Sequence, residues 1–133
     1  MRRLFVIATL AALLVGAGTT VFAANDRHVS AEFSPLAASG ISGRAALTEN
    51  GAGRTNVVLQ LKGLEPETEY VSEWFASASC AEGVPQSLGT FRANPAGIAV
   101  LNTKVSADVS QIGSISVKLG SDMSLQACAT IPQ

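Results

Sequence analysis

The chain has 133 residues, with nine Lys and Arg against ten Asp and Glu, one His and two Cys. That near-neutral, slightly acidic balance supplies no basic stripe, which argues against nucleic acid and against an anionic membrane surface as partners. A single imidazole also falls short of the clustered nitrogen ligands that copper and zinc enzymes use.

Met1-Arg2-Arg3 sets positive charge ahead of the apolar run Leu4 to Val15, and Val21-Phe22-Ala23 ends in a small-x-small pattern. This is the layout of a cleaved signal peptide over residues 1–23, leaving residues 24–133 as one mature domain. A membrane helix needs roughly 20 uninterrupted apolar residues, and Gly16-Ala17-Gly18-Thr19-Thr20 breaks the run early. The mature protein is therefore expected to carry no transmembrane segment and to be exported, extracellular or in the periplasm or cell envelope. Without Arg2 and Arg3, seven basic residues face ten acidic ones, a net charge of −3.

After an irregular start, short alternating segments are cut by turn signals, the rhythm of an antiparallel sandwich, and no helical period appears in the mature part. Strands are predicted over His28–Phe33, Ser42–Thr48, Asn56–Lys62, Tyr70–Ala76, Ser87–Ala93, Ile98–Val105, Ser114–Leu119 and Gln126–Ile131. In the third, Val57, Leu59 and Leu61 mark an oily face, while Val58, Gln60 and Lys62 mark the other. Residues 24–41 read as either a strand or a loose arm.

Turn chemistry supports these boundaries. Glu49-Asn50-Gly51-Ala52-Gly53 joins two strands, and Asn50 and Gly51 suit positive φ. Asn94-Pro95-Ala96-Gly97 is expected to be a second hairpin turn. No helix or P-loop lysine follows Gly51-x-Gly53, so these glycines are turn residues rather than a phosphate cradle. Gly63-Leu64-Glu65-Pro66-Glu67-Thr68-Glu69-Tyr70 has the Leu, Pro and Tyr spacing of the crossing corner of sandwich domains, but the 63 residues after Tyr70 are too many for a fibronectin-type arrangement.

Two cysteines in an oxidising compartment are expected to pair, so Cys80 and Cys128 are assigned to a disulfide. Glu65, Glu67, Glu69 and Glu73 raise the possibility of a calcium site, but calcium takes six to eight converging oxygens and a solvated charged strand edge fits better. No G-x-S-x-G nucleophile elbow occurs, and His28 is the one available base. Trp74 and Phe75 are adjacent, so on a strand they point to opposite faces and at least one of them could be exposed.

From Gly63 onward the chain resembles the Cu/Zn superoxide dismutase family. The matching residues are Gly63-Leu64-x-Pro66, Cys80, Leu88-Gly89-Thr90-Phe91-x-Ala93-Asn94-x-x-Gly97-Ile98-Ala99, Ile112-Gly113, and Ala127-Cys128-Ala129-Thr130-Ile131. The resemblance implies an all-β fold, a Greek-key antiparallel sandwich or flattened barrel of about eight strands, and it includes both halves of the family's disulfide.

The family's activity depends on copper and zinc held by histidines and an aspartate, with an arginine guiding the anion. Laid on this chain, the His-x-His pair falls on Ser72 and Trp74, the late histidine near Lys118, the zinc aspartate on Ser87 and the arginine on Leu125. These are vacated metal-site positions, and the segment Ala81–Ser87 that stands for the zinc loop holds no histidine. No catalytic residue, metal or cofactor is expected. The resemblance then implies a non-catalytic sandwich acting as a structural or interaction module, its partner an unidentified protein or envelope component. Two alternatives stand beside it: a dismutase-type metalloenzyme with altered metal chemistry, and a small-ligand carrier using the vacated site.

Overall fold

The computed structural model describes residues 27–133. The expected signal peptide and the mature terminus at Ala24 lie outside them. The described chain forms β1 (His28–Glu32), β2 (Ser34–Pro35), β3 (Ser42–Asn50), β4 (Arg54–Lys62), β5 (Glu69–Phe75), β6 (Gln86–Arg92), β7 (Ala99–Val105), β8 (Ser114–Leu119) and β9 (Leu125–Thr130), with one short 3-10 turn at Val109–Gln111. They build two antiparallel sheets of order β1-β3-β4-β7 and β2-β9-β8-β5-β6, packed face to face and not closed into a barrel.

Each predicted strand is present, with ends displaced by a residue or two. The β3–β4 hairpin extends to Asn50 and Arg54, because the Asn50↔Arg54 pair continues the ladder up to the turn. The region expected to be a strand or a loose arm serves both sheets. β1 pairs with β3, Phe33 donates its N–H to the Gly43 carbonyl, and β2 then pairs with β9 in the opposite sheet. Pro35 cannot donate to a ladder, which fits a two-residue strand at a sheet edge.

Alternation places the oily faces inward. Leu47, Val57 and Leu59 of one sheet meet Tyr70, Ile115, Val117, Ala127 and Ala129 of the other, all but fully buried. Each of the leucine, valine and isoleucine side chains among them contributes roughly 1.5–3 kcal/mol on leaving water. Ala107, Val109 and Ile112, in the crossing from β7 to β8, close one end of this core. The buried Thr55 hydroxyl donates to the Ala107 carbonyl at 2.6 Å, tying that crossing to β4.

The Asn94–Gly97 turn departs from the expected hairpin. It is tight, with Gly97 N–H donating to the Asn94 carbonyl at 2.9 Å and the Asn94 side chain accepting from the Ala96 and Ile98 amides. The strands it joins, β6 and β7, belong to different sheets. The turn is held against the other crossing instead: Leu64 N–H donates to the Gly97 carbonyl at 3.0 Å. Gly97 has φ +74°, and a Cβ there would collide with the Leu64 carbonyl oxygen.

Candidate functional site

The structure divides four of the five vacated positions between the two faces of the five-stranded sheet and puts the fifth, Leu125, at the start of β9. Tyr70 stacks on Phe91 in the core, Ser72 lies opposite core-facing Val117, and Trp74 packs half-buried against the core. Residues two apart share a face, so Ser72 and Trp74 both point inward. The outward side chains of β5 are Val71, Glu73 and Phe75. Ser87 is opposite Glu73 on exposed β6, and Lys118 is opposite Val71 on β8, both on the outer face. Leu125 is half-buried at the start of β9. An imidazole pair at Ser72 and Trp74 would therefore enter the hydrophobic interior, one residue out of phase with the surface.

On the outer face Glu73 and Lys118 meet. Lys118 Nζ is 2.7 Å from Glu73 Oε1, with 17% and 14% of the two side chains exposed. The ammonium also sits 5.4 Å from the centre of the Phe75 ring, an attractive placement over an aromatic face. Phe75 is buried, although its inward-facing neighbour Trp74 is also covered, so neither of the two aromatic residues is freely exposed. Ser116, wholly buried between the pair and the cystine, donates to the Glu73 carbonyl at 3.3 Å, and its own carbonyl accepts from Ser72 at 2.8 Å.

The loop of residues 76–85 is drawn against one end of this face. Gly113 N–H donates to the Phe75 carbonyl at 2.7 Å, Ser114 Oγ to the Ser77 carbonyl at 2.9 Å, and Thr130 Oγ1 to the Ala78 carbonyl at 3.2 Å. Cys80 and Cys128 are joined in a disulfide with a Cα–Cα distance of 6.0 Å, fixing the loop to β9 beside Ser116. This matches the pairing expected from the cysteine count.

The chemistry open to the face follows from these contacts. The one carboxylate at its centre is neutralised by a lysine that donates to it, and both sulfurs are bridged, so no thiolate is present. Among the described residues, no three His, Cys, Asp or Glu side chains converge as a metal cage would require. His28 is on the outer side of the other sheet, its Nδ1 2.9 Å from Thr48 Oγ1. Glu65, Glu67 and Glu69 are exposed and do not join Glu73 at its site.

Elsewhere, the Glu49 carboxyl is held above its ordinary range, first by desolvation and then by the Asp108 carboxyl beside it, with Arg27 opposing. A groove of about 700 Å³ lies on the four-stranded sheet, bounded by Arg44, Lys62, Gln60, Ile98 and Val100 among others. The alternation along β4 already places Gln60 and Lys62 on the outer face, and the same count along β3 would have placed Arg44 there, but nothing in the sequence signals the groove between them.

No protein-family model matches the chain, and comparison with curated proteins finds no relative.

Proposed function

We propose that this protein is an exported, non-catalytic sandwich of Cu/Zn superoxide dismutase-like, Greek-key fold, serving as a structural or interaction module. Its connectivity supports the Greek-key reading: β7 returns beside β4 across the β5–β6 hairpin, and β8 returns beside β5 across β7. The cystine from the β5–β6 loop to β9 supports the resemblance, because it unites the two cysteine segments that carry it.

The observation that carries the non-catalytic reading is the Glu73–Lys118 pair. A redox metal needs several free, deprotonated donors around one ion. The outer face of β5 and β8 offers valine, phenylalanine, serine and a carboxylate whose charge is already matched at 2.7 Å. A metal ion that took the Glu73 carboxylate with Lys118 in place would leave a largely buried ammonium without its partner, a penalty of several kcal/mol against metal entry.

The test is to incubate the purified, oxidised protein with copper and zinc, remove loose metal, and measure metal content and superoxide dismutation on one sample. The reading expects folded protein without stoichiometric metal and without activity. Stoichiometric metal accompanied by dismutation overturns it in favour of a metalloenzyme with altered ligands.

A further inference from the structure

We propose that the groove on the outer face of the four-stranded sheet binds an amphipathic carboxylate, with Arg44 and Lys62 holding the acid group and Ile98 and Val100 covering a saturated hydrocarbon body. The proposal does not depend on the reading of the opposite sheet. The groove's volume, about 700 Å³, is within the range of roughly 300–1,000 Å³ usual for small-ligand sites.

Strand register brings its polar parts together. Glu32, Arg44, Gln60 and Val100 form one transverse row over β1, β3, β4 and β7, and the Ser42–Lys62 pair forms the next. Arg44 and Lys62 are thus diagonal neighbours on adjacent strands, where side chains root roughly 7–8 Å apart. Two cations at that spacing repel. Among the described residues neither is held in an ion pair, even though Glu32 stands directly across from Arg44. Glu32 also lines the groove, so two cations and one carboxylate leave it a net charge of +1, in a protein whose acidic residues outnumber its basic ones. A carboxylate seated between the two cations relieves the repulsion and matches the planar donor fork of arginine. Ser42 and Gln60 supply neutral polar groups beside it.

The apolar half is equally specific. Ile98 is 46% exposed and Val100 62% exposed, both at the same edge of the groove. The floor is the backbone of Phe33, Leu61 and Ala99, whose side chains point the other way into the core. Gly43 is part of the wall, and a Cβ there would strike the Gln60 carbonyl oxygen, so β3 and β4 approach closely at this point. An inorganic anion would satisfy the cations and leave the two aliphatic side chains in water; a neutral hydrocarbon would do the reverse. One carboxylate on a flexible alkyl chain answers both.

The test is a titration of the nitrogen-labelled protein with decanoate, followed by amide NMR, with acetate and decyltrimethylammonium as comparison ligands. Saturable shifts centred on Gly43, Leu61 and Ala99 are expected for decanoate, with much weaker effects from the other two. The double variant Arg44→Gln/Lys62→Gln should keep a dispersed amide spectrum, both positions being exposed, and bind decanoate at least about tenfold more weakly, the loss expected for charge-assisted hydrogen bonds. Lys104→Gln, farther along the same sheet face, should bind as the parent does. Shifts centred elsewhere, no saturation, or undiminished binding by the double variant or by the cationic amphiphile overturns the proposal.

Discussion

The hydroxyl oxygen of Tyr70 accepts a hydrogen bond from the backbone N–H of Glu65 at 2.9 Å, locking the start of β5 to the chain five residues upstream. The ring itself is 2% exposed and stacks on Phe91 with a centroid distance of 5.8 Å. The tyrosine therefore anchors the crossing between the sheets at its polar end and the core at its apolar end. Tyr70→Phe should keep the packing but strand the Glu65 amide, lowering stability by about 1–3 kcal/mol. Tyr70→Ala adds a cavity and should cost about 3–5 kcal/mol. Urea unfolding of both variants separates the two contributions; equal losses would contradict the division.

For the outer face of the five-stranded sheet, a double-mutant cycle is informative. Lys118→Met leaves the Glu73 carboxylate poorly solvated and should cost about 2–3 kcal/mol, with Glu73→Leu comparable. The double variant should lose clearly less than the sum of the two, since an apolar pair can replace a desolvated ion pair. Strict additivity in denaturant melts would mean that the pair makes no mutual contribution.

Replacing both cysteines with alanine removes a cross-link spanning 48 residues. Loop-closure entropy puts the expected loss at about 4 kcal/mol. Chemical denaturation of the double variant, compared with parent protein kept oxidised, measures it directly.

Gly97→Ala tests the contact between the two sheet crossings. The residue has φ +74° and its missing Cβ leaves room for the Leu64 carbonyl. Strain and collision together should cost about 2–4 kcal/mol, read as a fall in melting temperature. Gly51→Ala, at a turn with open space around it, should cost far less.

Glu49 gives a pH signature. Desolvation, then Asp108, raises its carboxyl pKa in the folded state. The folded protein thus holds that proton more tightly than the unfolded chain does. Its contribution is full below the unfolded pKa and is lost as pH rises through the folded one. Glu49→Gln should therefore gain stability relative to the parent toward neutral pH, and the difference should shrink in acid; thermal melts between about pH 4 and 7 report it.

The strands were legible because period-2 patterning and turn residues agree in this chain. Val57, Leu59 and Leu61 announce an inward face, and the Asn50–Gly53 segment announces the hairpin before it, although the positive φ falls on Gly53 at +70° and not on Asn50 or Gly51. The switch of the N-terminal arm at Phe33 was not legible, since a two-residue strand has no period to read. The site was legible in its region but not in its phase. Matching short motifs put the ligand positions on Ser72 and Trp74, whereas the buried Tyr70, two residues earlier, forces both inward. Parity counted from Tyr70 identifies Val71, Glu73 and Phe75 as the outward set. The pairing of Glu73 with Lys118 depends on β8 lying next to β5, a relation between segments 45 residues apart that no local pattern encodes.

The cystine also decides what a protease can accomplish. Residues 81–127 are closed into a covalent ring by Cys80 and Cys128, and β6, β7 and β8 all lie inside it. Val84, 74% exposed in the loop just past Cys80, is the most accessible large apolar side chain on the described surface. A cut beside it opens the ring without releasing a fragment, since the bridge still holds the two pieces and β5 and β6 remain paired in their sheet. Nicked molecules would run as one species until reduced and as two afterwards, so the loop can be cleaved while the sandwich keeps every strand.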